Sequence, residues 1–120
     1  MLILCYPRCT TCQKALLWLD EHHITYEKRD IKEDHPTKEE LLSWLDLSGL
    51  PIKRFFNTSG MQYRALSLKE KLGSMSEDEC LDLLATDGML VKRPLVIGST
   101  FVLCGFKERE WEQLLLNIIN

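Results

Sequence analysis

The chain has 120 residues, fifteen basic and eighteen acidic, for a net charge of −3. That length corresponds to one ordinary domain with room for a single core, expected to occupy residues 1–120. An apolar fraction of 45% beside 28% charged residues excludes an intrinsically disordered chain, and the acidic balance argues against direct nucleic-acid binding. No apolar run approaches the ~20 residues of a membrane span. The start Met1-Leu2-Ile3-Leu4 has neither a basic segment nor a small-residue cleavage site, so no signal peptide is expected. Five cysteines, at 5, 9, 12, 80 and 104, are odd in number and unevenly spaced. A secreted disulfide framework is not built that way, and the expected compartment is the reducing cytoplasm.

Leu2 to Tyr6 is an apolar run stopped by Pro7, which predicts a buried strand. Thr11 to His23 follows as a helix, with Cys12, Ala15, Leu16, Leu19 and His23 on its inward stripe. Ile24 to Asp30 reads as a second strand, and Asp34-His35-Pro36-Thr37 breaks the chain. Thr37 and Glu40 have capping-box spacing and open a helix that runs toward Ser48 and ends at Gly49. Pro51 suits the first turn of a short helix ending near Phe56, and Asn57-Thr58-Ser59-Gly60 is a turn. A short helix is predicted around Ser67 to Leu72. Ser76 and Glu79 repeat the capping-box spacing before Cys80 to Thr86, and Asp87-Gly88 ends that helix. Leu95 to Ile97 and Thr100 to Cys104 flank Gly98-Ser99, the signature of a two-residue hairpin. Lys107 to Ile119, carrying Trp111, Leu114, Leu115 and Ile118, closes the chain as an amphipathic helix.

Strand, helix, strand, several helices, hairpin, helix is an α/β order. The first strand-helix-strand unit requires a parallel pair and the hairpin an antiparallel one, so the sheet must be mixed. The simplest closure is a thioredoxin-like sheet flanked by helices, with a helical insertion at about 37–88, between the second and third strands.

Cys9-Thr10-Thr11-Cys12 is a C-x-x-C at a strand-to-helix junction. A thiol there faces unpaired backbone N–H groups and the positive end of the helix dipole, both of which favour thiolate. Cys9, before the first turn, is the expected nucleophile. Cys12, one turn on and beside Ala15 and Leu16, is the expected resolving thiol. Thr10 and Thr11 are placed to cap the helix, and Thr11 offers a hydroxyl to a bound anion. Cys5, Cys9 and Cys12 together have the C-x-x-x-C-x-x-C spacing of radical iron–sulfur enzymes, but those need a domain of roughly 200 residues or more. A zinc site would need further ligands from Cys80, Cys104, His22, His23 or His35, among which only the adjacent His22 and His23 lie close. No metal and no bound cofactor are expected, Cys5, Cys80 and Cys104 read as core residues, and no histidine stands out as a base.

Lys92-Arg93-Pro94 precedes the hairpin. In this architecture that loop lies beside the start of the first helix. A cis peptide at Pro94 would fix an exposed backbone edge for a thiol partner. Arg93 would supply a planar cation near Cys9, able to stabilise thiolate or hold an oxyanion. Arg8, next to Cys9, is a second candidate cation, and Lys14 reads as a solvated helix residue.

Tyr6-Pro7-Arg8-Cys9-Thr10-Thr11-Cys12, Lys14-Ala15, Phe55-Phe56-Asn57-Thr58-Ser59-Gly60, Lys92-Arg93-Pro94-Leu95 and Gly105-Phe106-Lys107 together resemble the ArsC/Spx family over essentially the whole chain. The resemblance implies a thioredoxin-like fold with a helical insertion. It also implies that Cys9 attacks arsenate in the manner of the glutaredoxin-dependent reductases, that Arg93 holds the oxyanion, and that Pro94 is the cis proline. Those reductases use two further arginines, whose counterparts here are Asn57 and Gly105. Losing two cations is expected to cost about 1.5–3 kcal/mol per charged hydrogen bond. They also lack a cysteine at Cys12, whereas Spx regulators carry C-x-x-C. The expected activity is thiol oxidoreduction of a disulfide or small oxyanion, with glutathione and glutaredoxin, or thioredoxin, as external reductant. The other expectation is a Spx-like redox sensor in which Cys9–Cys12 oxidation changes binding to RNA polymerase.

Overall fold

The computed structural model describes residues 1–116. Strand β1 (Leu2–Cys5) is wholly apolar because it lies inside the sheet and is covered on both faces. Its side chains alternate: Ile3 and Cys5 join one cluster with the first helix, while Leu4 joins the other with the helical insertion. The same alternation runs through β3 (Leu95–Ile97) and β4 (Val102–Cys104), where Val96 and Leu103 face the first-helix side and Leu95, Val102 and Cys104 the insertion side.

The sheet order is β2-β1-β3-β4. β1 pairs parallel with β2 (Glu27–Asp30) and antiparallel with β3, and β3 pairs antiparallel with β4. This is the mixed thioredoxin-like sheet expected from the element order. β2 is shorter than the predicted Ile24 to Asp30. It is the charged segment Glu-Lys-Arg-Asp at a sheet edge, where one partner suffices and alternation is not required.

Helix α1 spans Thr10–Glu21, starting one residue and ending two residues earlier than predicted. Cys12, Ala15, Trp18 and Leu19 are its buried residues. Trp18, not His23, completes the stripe, because His23 turns into the left-handed region (φ 55) past the helix end. Both capping boxes form: Thr37 opens α2 (Lys38–Ser48) and Ser76 opens α5 (Glu77–Leu84), each exchanging hydrogen bonds with the glutamate three residues on. Arg29 of β2 grips Glu40 of α2 through two nitrogens, at 2.7 and 3.0 Å, which ties the insertion to the sheet edge.

A short 3-10 helix, Ile52–Phe55, follows Pro51 as predicted. Helix α3 (Met61–Ala65) was not legible in the sequence; its five residues are held by Tyr63, buried edge-on against Phe56 with ring centres 6.3 Å apart. Helix α4 (Leu68–Lys71) matches the predicted short helix. Gly88 is required by close approach, because a Cβ there would fall on the carbonyl oxygen of Ile31. The hairpin closes over four residues rather than two: Ile97 pairs with Val102, and the Gly98 N–H donates to the Phe101 carbonyl at 2.9 Å. Helix α6 (Glu108–Trp111) continues as a wider π turn over Glu112–Leu116, and the remainder of the predicted closing helix, with Ile118, lies outside the described residues. Trp111 is fully buried against Phe106 and Trp18, and its indole N–H donates to the Gly105 carbonyl at 3.1 Å. No described helix is long and apolar enough to cross a membrane.

Candidate active site

The turn after β1 is built by Pro7 at its second position: the Cys9 N–H donates to the Tyr6 carbonyl at 3.0 Å. That turn delivers Cys9 in extended conformation (φ −83, ψ 118) as the residue that caps α1, its carbonyl accepting the first helical bond from Gln13. No side chain caps the helix. The expected hydroxyl cap from Thr10 or Thr11 does not form, because Thr10 already belongs to the helix and both threonines are exposed. The first turn of α1 therefore presents N–H groups that no side chain caps, next to Cys9.

Cys9 is half-buried, whereas Cys12 is 1% exposed. A hydrogen bond to the Cys5 sulfur and burial push the Cys12 thiol far above the ordinary thiol range. The structure thus pairs one accessible thiol with one that stays protonated behind it.

On the opposite side, two distant segments form a short antiparallel ribbon. The Lys92 N–H donates to the Phe55 carbonyl at 2.7 Å, the Asn57 N–H donates to the Leu90 carbonyl at 2.8 Å, and Phe56 and Val91 bridge between them. This ribbon carries Asn57, Lys92 and Arg93 to the cavity that Cys9 faces. The Arg93–Pro94 peptide is cis, as the resemblance implied. Pro94 is buried behind Arg93, and its carbonyl accepts from the Gly105 N–H at 2.8 Å.

The cavity has a volume of about 480 Å³. Cys9 and Thr11 line it from α1, Asn57, Ser59, Gly60 and Met61 from the insertion, Lys92 and Arg93 from the loop before β3, and Cys104 to Lys107 from the end of β4. Of the residues singled out in the sequence, it gathers Cys9, Thr11 and Arg93. Arg8 and Thr10 are exposed and outside its lining, Lys14 is a solvated helix residue, and Cys12 lies behind the wall.

Arg93 has an unusual environment. Its guanidinium carbon stands 5.4 Å from the centre of the Tyr6 ring, Nη1 reaches only the Met89 sulfur at 4.0 Å, and Nε is buried with no hydrogen-bond partner. Among the described residues no carboxylate lies within ion-pair distance of it. A buried donor on an uncompensated cation is suited to an acceptor, either a thiolate or an anion.

Sequence reasoning missed Ser59, Met61 and Lys107 as lining residues and placed Cys104 in the core. Cys104 is indeed buried, which raises its thiol to about 11, although the Arg54 and Lys92 charges act the other way. The two positions matched to arginines are also distinctive. Asn57 is 9% exposed, its Oδ1 accepting from the Ser59 hydroxyl at 3.4 Å. Gly105 has φ 79, and Lys92 Cε lies 2.9 Å from where a Cβ would stand. Among the described residues, no three histidine, cysteine or acidic side chains converge as metal ligands.

Comparison with known proteins places the chain in a family. A crystal structure of an ArsC family related protein from Bacteroides fragilis superposes with a TM-score of 0.91 at 58% identity, over 94% of this chain and 95% of that one. The uncharacterized protein YusI of Bacillus subtilis is 56% identical over 90% of this chain and 92% of its own length. The regulatory protein MgsR of the same organism is 30% identical over 88% of this chain and 82% of its own. The model of the ArsC family matches residues 4–114, and the chain belongs to that family.

Proposed function

We propose that the protein is a thiol oxidoreductase of the ArsC family, with Cys9 as nucleophile, Cys12 as resolving thiol and Arg93 as the charged group that faces the reacting sulfur. One observation carries this reading: a half-exposed cysteine at a helix start shares its cavity with an arginine that has a buried, unsatisfied donor, while a second cysteine waits one turn behind. In the forward direction the Cys9 thiolate attacks one sulfur of a disulfide. A Cys9–substrate disulfide forms and one thiolate leaves. Cys12 then attacks the Cys9 sulfur, its proton passing to the second leaving thiolate. The protein ends two electrons oxidised as a Cys9–Cys12 disulfide, and the substrate two electrons reduced as two thiols. Cys12 is held neutral until that second step, which keeps it from competing for the incoming substrate. An external thiol, such as glutathione with glutaredoxin or thioredoxin, reverses the oxidation in the cytoplasm.

A small oxyanion is the other substrate class, with Thr11 beside it in the cavity and Pro94 holding the Arg93 loop. Asn57 offers a neutral amide and Gly105 nothing where the reductases carry arginine, so arsenate is expected to be a poor substrate. Steady-state arsenate and disulfide reduction with each reductant, in wild type and Cys9→Ser, tests the reading. Disulfide turnover that survives Cys9→Ser would overturn it.

A second reading rests on the regulator MgsR, which this chain matches over most of its length. As a Spx-like sensor, the protein would use Cys9–Cys12 oxidation to alter contact with RNA polymerase. Retention of RNA polymerase by the oxidised but not the reduced protein, without turnover, would favour it.

A further inference from the structure

The Cys9 cavity does not end at Lys92. A second hollow of about 310 Å³ shares Lys92, Cys104 and Lys107 with it, and adds Lys53, Arg54 and Phe56. Among the described residues, four cations and no carboxylate line this hollow. In a chain of net charge −3 that is a local reversal of sign. Two cations on other parts of the surface are paired: Arg29 holds Glu40 at 2.7 Å, and Lys38 holds Asp78 and Asp82, each at 2.8 Å. Here Lys53, Arg54 and Lys92 have no carboxylate within 4.0 Å among the described residues, and Lys107 meets only Glu110, at 3.9 Å between exposed groups. Arg54 and Lys92 act electrostatically on the buried Cys104 sulfur between the two hollows. Gly105 makes the connection. With no side chain and a left-handed backbone, it leaves room for the Lys92 stem, which would otherwise collide with a Cβ at 2.9 Å.

We propose that this hollow is a cationic subsite for the anionic end of a low-molecular-weight disulfide whose sulfur reacts at Cys9. The inference rests on the thiol reading given above and names its substrate class. The concave shape favours a small molecule, with Phe56 as an apolar wall against its stem. Lysines and an arginine that line one hollow with no carboxylate in its wall raise the local concentration of anions and the rate at which they arrive. The anion can be carboxylate or phosphate; the subsite chemistry is the same for both.

The test measures Cys9 oxidation by glutathione disulfide (carboxylates), coenzyme A disulfide (phosphates), neutral hydroxyethyl disulfide and cationic cystamine, at low and high salt. The Lys53→Met/Arg54→Met variant removes charge from the second hollow only. We expect its rate with either anionic disulfide to fall about tenfold, its rate with the neutral one to stay within about twofold, and its rate with cystamine to rise. Added salt should slow the wild type toward the variant for anionic disulfides alone, a readout that needs no substitution. The faster of the two anionic disulfides assigns the source. Equal losses with all four, or a wild-type rate with glutathione and coenzyme A disulfides that ignores salt, would overturn the subsite while leaving Cys9 chemistry intact. No reaction at Cys9 with any of them would overturn the thiol reading itself.

Discussion

Glu40→Gln isolates a single charge in the joint between the sheet edge and the helical insertion. Glu40 serves twice: its backbone N–H and side chain complete the Thr37 capping box, and its carboxylate grips Arg29. Glutamine preserves the capping pattern and removes the charge. The Arg29 guanidinium holds the Glu40 carboxyl at about 2, against an ordinary 4.5. That displacement corresponds to at most about 3.4 kcal/mol at 1.36 kcal/mol per pH unit. Glu40 is 34% exposed and Arg29 16%, so solvent screens the pair, and about 1–2 kcal/mol is the reasoned cost at pH 7. The sign follows from the lowered folded value. The stabilisation is complete above the unfolded carboxyl range and is lost as pH falls from about 4.5 through about 2. Urea denaturation of wild type and variant at pH 7, 4 and 2 should show a gap that closes with acid. Equal stabilities at pH 7, or a gap that persists unchanged at pH 2, would refute the ion-pair account.

Other outcomes follow from the packing and the site. Gly88→Ala should cost about 3 kcal/mol or more, because the new Cβ meets the Ile31 backbone. Gly73→Ala, with nothing within 4 Å, should be neutral within about 1 kcal/mol; thermal unfolding that ranks them otherwise contradicts the geometry. In alkylation at pH 8 followed by peptide mass spectrometry, Cys9 should be modified first. Cys12, Cys80 and Cys104 are buried and carry raised thiol values, Cys104 at about 11, so they should resist until the protein unfolds. Early labelling of Cys104 would show that the cavity wall is open. Arsenate reduction with glutathione and glutaredoxin should be slow beside a three-arginine relative, and comparable turnover would mean that Lys92 or Asn57 substitutes fully for the lost cations.

The elements that were legible in the sequence are those decided by local chemistry. Both capping boxes are side chain to backbone exchanges across three residues, and β1 announces itself by an apolar run that only a doubly covered strand needs. β2 was overextended because an edge strand of four charged residues carries no alternation. Helix α3 was missed because its stability comes from Tyr63 on Phe56, not from its own five residues. The site divided in the same way. Cys9 and Cys12 followed from C-x-x-C spacing at a strand-to-helix junction, and Arg93 from a loop that the topology carries toward it. Asn57 and Gly105 were matched only through the family resemblance. Ser59 and Met61 reach the cavity through the ribbon of Phe55–Asn57 with Leu90–Lys92, a pairing between distant segments that leaves no local mark. The place of Lys92 over Gly105 is likewise a property of the packed molecule.

The most direct test of the central claim is the identity of the first disulfide. Wild-type protein, treated with one equivalent of hydroxyethyl disulfide and digested under acid quench, should yield a Cys9–Cys12 linked peptide. Cys12→Ser should instead stop at a mixed disulfide on Cys9, because the buried partner that would displace the substrate is gone. Free Cys9 and Cys12 under those conditions, or Cys9 linked to Cys80 or Cys104, would contradict the assignment.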